Sequence, residues 1–141
     1  MFTEGRLLCF DPFHFKNGNI PKRKYFIVLG QLDDEVIMAS LPTSKDHLPE
    51  NISVERGCVN IPDSLINAYI FSPEDYVTNS FRFKVPTFVY GEQVDEYNKN
   101  YIAGMQSSIE DLGLLHKPLF EELKSCLKQS MHIKRRYKKC L

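Results

Sequence analysis

Up to Tyr90 the apolar residues fall in short dense runs separated by polar breaks, and after Tyr97 they space out. The runs GRLLCF (from Gly5), KYFIVLG (from Lys24) and EVIMASLP (from Glu35) are rich in aliphatic and aromatic residues. Asn17-Gly18-Asn19 breaks the chain between the first two, and Asp33-Asp34 between the second and third, so the pattern predicts a three-stranded antiparallel meander. GCVNIP (from Gly57) reads as a fourth, weaker strand, and DSLINAYIF (from Asp63) fits either a helical turn or a strand. SFRFKVPTFVY (from Ser80) reads as a long strand with Pro86 inside it; proline cannot donate to a ladder, which puts this strand at an edge or gives it a bulge. Alternation sets Phe81, Phe83 and Val85 on one face and sends Arg82 and Lys84 out together on the other.

Beyond Tyr97, Ile102, Met105, Ile109 and Leu112 follow the spacing of a helix face that Gly113 stops. A second helix carries Leu119, Phe120, Leu123, Cys126 and Leu127 as its apolar stripe, with Pro118 in its first turn and Glu121 and Glu122 toward its positive end. The predicted architecture is mainly β with C-terminal α: a small, strongly bent antiparallel sheet closed by one or two C-terminal helices, with residues 1–131 as one domain and 132–141 as a basic tail. Phe26, Val28, Val36, Met38, Phe83, Leu123 and Leu127 are its predicted buried positions.

A chain of 141 residues with 43% apolar content suits one globular core. Its formal charge of zero hides a division. Lys134, Arg135, Arg136, Lys138 and Lys139 are basic and no acid follows Glu122, so the rest of the chain carries an acidic excess. The plain account of such an end is a solvated tail; the functional one is contact with nucleic acid, an anionic lipid or an acidic partner.

Several chemistries are excluded early. No apolar run reaches the roughly 18 residues that span a bilayer, and the N-terminus lacks the basic-then-apolar pattern of a signal peptide, so the expected location is cytoplasmic with no membrane partner. Cys9, Cys58, Cys126 and Cys140 lack the paired close spacing of a zinc or redox motif and read as reduced thiols, the first three as small core residues. His14, His47, His116 and His132 show no ligand spacing, and no glycine-rich loop joins a strand to a helix, so neither a metal nor a cofactor is expected. Ser44 sits in a proline turn, not in a nucleophile elbow.

The order GRLLCFDPF, a polar Asn/Gly loop, KRKYFIVLG, a short turn and IMASLPTS resembles the start of PemK/MazF-type toxins, and FRFKVPTFV resembles their later Arg-x-Asp-x-Pro segment. The likeness covers roughly the first hundred residues, residues 4–100. It implies a small SH3-like barrel with terminal helices, a homodimer, an antitoxin protein as partner, and metal-independent endoribonuclease action on single-stranded RNA. Carried over by position, Thr43 and Ser44 match the hydroxyl turn and Arg82 the arginine of the later strand. Lys24 stands at the second-strand arginine, Tyr25 replaces the proline after it, and Lys84 stands where some members carry an acidic base.

Metal-free RNA cleavage needs a base for the ribose 2′-hydroxyl, an acid for the leaving oxygen and donors for the charged phosphorane. The expected catalytic set is Thr43, Ser44, Arg82 and His14, with His47 as second choice for the imidazole and Arg23, Lys24 and Lys84 as RNA-binding cations. A second reading follows from Lys84, because a lysine in place of the base describes a catalytically inactive barrel that binds nucleic acid or protein. The bland account of Thr43 to Asp46 is a set of turn formers satisfying local backbone groups, and that of Arg82 and Lys84 is the charged face of an edge strand.

Overall fold

The apolar runs are continuous because both faces of the sheet they build are covered, which removes the alternation a half-exposed strand would show. In the computed structural model, which describes residues 1–42 and 56–141, the runs become β1 (Arg6–Phe13), β2 (Lys22–Leu32) and β3 (Glu35–Leu41). They form the predicted antiparallel meander, with Leu8 opposite Phe26 and Val28 opposite Met38. The β2–β3 turn uses Asp33 at φ 54°, a left-handed conformation that aspartate tolerates better than most residues. Pro12 sits where the β1–β2 register shifts, between Phe10 and Phe13.

A second, smaller sheet contains β4 (Gly57–Ile61), β5 (Ile66–Phe71) and β6 (Thr87–Tyr90), in that order. The segment that fitted helix or strand is thus a 3-10 turn at Pro62–Ser64 followed by a strand. The long strand predicted from Ser80 is cut down to Thr87–Tyr90. The Thr78 hydroxyl accepts from the backbone N–H groups of Ser80 and Phe81 and donates to the Leu112 carbonyl, which holds residues 78–81 in a turn.

The helix predicted through Ile109 and Leu112 is also corrected. Only α1 (Lys99–Ala103) forms, started by the Asn98 side chain, which accepts from the N–H groups of Asn100 and Tyr101. Gly104, Ser107 and Ser108 are weak helix formers, and the apolar residues after them join the sheet instead. β7 (Val94–Asn98) pairs with β3, and β8 (Ile109–Leu114) pairs with β1. The larger sheet therefore runs β7-β3-β2-β1-β8, and among the described residues no strand pairing joins it to the smaller sheet or closes it on itself. The second predicted helix is present as α2 (Lys117–Lys128), with Phe120, Leu123, Cys126 and Leu127 buried.

One face of the larger sheet, with Leu7, Ile27, Ile37 and Leu41, packs against Tyr69, Phe71 and Val89 of the smaller sheet and Leu123 and Leu127 of α2. The opposite face, with Leu8, Phe10, Phe26, Val28 and Met38, is covered by Ile102 and Met105. All seven positions predicted to be buried are buried.

Cys58 and Cys126 are joined as a disulfide linking β4 to α2, so the reading of four reduced thiols holds only for Cys9 and Cys140. Cys58 is also exposed rather than a core residue. Scattered sequence positions gave no hint of this pair because the topology alone brings position 58 beside position 126. The basic C-terminal residues are not a free end: Ile133 and Tyr137 are buried, and Cys140 packs over Gly30. A Cβ at Gly30 would lie 2.9 Å from the Cys140 sulfur, so glycine is what lets this segment dock on β2. No helix among the described residues is long and apolar enough to cross a membrane.

Candidate functional site

Along β2, alternation sends Arg23 and Tyr25 to the face that packs toward the smaller sheet, while Lys24, opposite Phe10, belongs to the other face. Tyr25 has Cys9 beside it on β1 and Leu41 beside it on β3, and Cys9 in turn has Glu110 beside it on β8. Four strands thus contribute one lateral row, Glu110, Cys9, Tyr25 and Leu41.

Residues 76–85 cross over this row. Hydrogen bonds from Val77 to Phe81 (2.9 Å) and from His116 to Val77 (2.9 Å) fix the crossing. Phe81 and Phe83 then meet the Tyr25 ring at centroid separations of 5.9 and 5.8 Å. Between the row and the crossing lies a groove of about 620 Å³, within the size range of small-ligand sites. Arg23, Arg82 and Lys84 line it with Glu110 and Asp111, over an aromatic lining of Tyr25, Tyr76, Phe81 and Phe83.

The cations are held in different ways. The Arg82 guanidinium lies 5.4 Å from the centroid of the exposed Tyr76 ring, a cation–π pair at the groove mouth. Arg23 donates from Nε to the Cys9 sulfur (3.3 Å) and from Nη2 to the Tyr25 hydroxyl (3.0 Å), with its guanidinium 5.3 Å from the Tyr25 ring. The Cys9 contact raises the Arg23 pKa, keeping the group charged. Burial, followed by the neighbouring Cys9, pushes the Tyr25 phenol above its ordinary value, so it stays a neutral hydroxyl.

The acids differ as well. Asp111 is engaged, since Arg6 reaches it at 3.2 Å and the Gly113 N–H donates to it at 2.9 Å. Glu110 is exposed and forms no salt bridge among the described residues. Its carboxylate faces the same cavity as three cations.

Of the residues singled out from sequence, the groove gathers Arg23, Arg82 and Lys84. Lys24 is not among its lining residues. Neither is His14, whose N–H reaches the Met105 sulfur (3.4 Å) and whose carbonyl accepts from the Tyr101 hydroxyl, contacts belonging to the α1 side of the sheet. Thr43, Ser44 and His47 lie outside the described residues; Leu41 and Pro42, immediately before them, line the groove.

Tyr76 and Glu110, which line the groove, and Cys9, which does not line it but contacts Arg23, are residues that sequence reasoning missed. Glu110 in particular lies in a stretch whose spacing imitates a helix, and only its pairing with β1 turns it toward the groove. No family model matches the chain, and no curated protein does.

Proposed function

We propose that the chain is a PemK/MazF-like protein, its two sheets a variant of the family's SH3-like barrel, and that the groove binds single-stranded RNA and cleaves it without a metal. One observation carries this reading: Arg23, Arg82 and Lys84 share an aromatic-lined groove with Glu110, whose carboxylate forms no salt bridge among the described residues. Cations and aromatic faces together suit a single strand, whose phosphates pair with charge while its unstacked bases lie on rings.

In this mechanism Glu110 takes the proton from a ribose 2′-hydroxyl as its oxygen attacks the adjacent phosphorus. Arg23 and Arg82 stabilise the negative charge that builds on the phosphorane oxygens. Lys84 gives a proton to the departing 5′-oxygen. The products are a 2′,3′-cyclic phosphate and a free 5′-hydroxyl. The acid that position 84 lacks is thus supplied from β8, which answers the charge reversal that otherwise favours an inactive module. A homodimer, an antitoxin partner and a cytoplasmic location go with the family reading.

The test is cleavage of mixed-sequence single-stranded RNA in the presence of a chelator. Arg82→Ala and Glu110→Gln should each slow it about 100- to 1000-fold, the usual cost of removing one preorganised group. RNA binding without cleavage by the unaltered protein would leave the groove as a binding module, and absence of both would end the RNA reading.

A further inference from the structure

We propose that Cys9 is a positioning residue for the groove: its sulfur, together with the Tyr25 hydroxyl, fixes the Arg23 guanidinium so that the remaining donors face the bound phosphate. This rests on the RNA reading for its ligand but not for its geometry. Arg23 lies on an exposed part of β2, where an arginine side chain would otherwise sample many rotamers. Two of its nitrogens are engaged from one side, Nε by the sulfur at 3.3 Å and Nη2 by the phenol at 3.0 Å. Among the described residues no hydrogen bond engages Nη1, which leaves it for a ligand.

The choice of sulfur has a physical reason. A carboxylate at position 9 would pair with the guanidinium and cancel the charge a phosphate needs, whereas a thiol is a weak acceptor that orients without neutralising. Cys9 is 2% exposed, so the acceptor is itself buried, while the Arg23 side chain that reaches it is exposed. Its cross-strand neighbours are the two groups that define the site, Tyr25 on one side and Glu110 on the other. The pairing of β1 with β2 and β8 sets the lateral spacing of this row, and Cys9 stands between its two members.

The experiment compares Cys9→Val, which removes the acceptor and adds one methyl, with Cys9→Ser, which keeps an acceptor, in the full chain. The first readout needs no RNA: the Arg23 Nε–H resonance, assigned by its loss in Arg23→Lys, should be sharp in the unaltered protein. It should broaden into exchange with water in Cys9→Val and return in Cys9→Ser. The second is cleavage, where Cys9→Val should lower kcat about 10- to 100-fold with little change in KM, because a displaced donor is felt mainly in the transition state. Cys9→Ser should restore most of the rate.

An Arg23 resonance unaffected by Cys9→Val would overturn the positioning role. If the protein cleaves no RNA, the RNA reading fails while the resonance still decides the role of Cys9. Should Cys9→Val not fold, Cys9→Ala removes the same acceptor with a smaller side chain, and an unchanged Arg23 resonance there would equally overturn the proposal.

Discussion

Tyr137 donates its hydroxyl hydrogen to the Glu96 carboxylate at 3.0 Å, which pins the middle of the basic C-terminal run to β7. Arg136 reinforces the contact, reaching the same carboxylate at 2.9 Å. The apolar body of Tyr137, 2% exposed, holds this segment against the sheet, with the Arg136 ion pair beside it. Tyr137→Ala should therefore lower stability by about 3 kcal/mol, typical for emptying a buried aromatic position. Lys138→Gln with Lys139→Gln should change it by less than about 0.5 kcal/mol each. Urea denaturation separates the two, and equal effects would mean the segment is held by charge.

The same contact has a pH signature. The Tyr137 hydrogen bond, followed by Arg136, lowers the Glu96 pKa below its usual 4.5. A depressed folded-state value means the stabilisation is fully present above the unfolded value and disappears as pH falls through the folded one. Acid titration of the denaturation midpoint should accordingly be steeper for the unaltered protein than for Glu96→Gln. Parallel curves would remove Glu96 from the acid transition.

Joining Cys58 to Cys126 closes a sequence separation of 68 residues. Constraint of the unfolded chain over a loop of that length is worth about 4 kcal/mol. Cys58→Ala should cost stability of that order in the oxidised protein and nothing after reduction. Thiol counting on the unfolded protein should find Cys9 and Cys140 reactive before reduction and all four cysteines after it.

Leu123 lies fully buried between α2 and both sheets. Leu123→Ala should cost about 2–5 kcal/mol. A value near zero by chemical denaturation would place this helix face outside the core.

The two faces of β2 give the groove a built-in control. Arg23→Gln and Arg82→Gln should each weaken RNA binding and reduce the logarithmic salt dependence by about 0.7, the contribution of one single-strand phosphate contact. Lys24→Gln, on the opposite face, should leave both quantities near their original values. An equal loss from Lys24→Gln would show that the strand is not confined to the groove.

The sequence by itself determined the meander, its turns, α2 and the buried positions, because local periodicity and turn chemistry act over a few residues. Asn17-Gly18-Asn19 and Asp33-Asp34 stop the chain wherever they occur, and the stripe through Leu123 and Leu127 needs a covering surface in any fold. Only the tertiary structure decided that Ile109–Leu114 is a strand, since an apolar spacing that suits a helix was overridden by pairing with β1. That one pairing also delivered Glu110 to the row beside Cys9 and Tyr25. The side-chain period of two decided between neighbours, taking Arg23 into the groove and Lys24 away from it. Cys58 and Cys126 met for the same reason: hydrogen-bonded strands and a packed helix bring together residues whose separation along the chain carries no record of their distance in space.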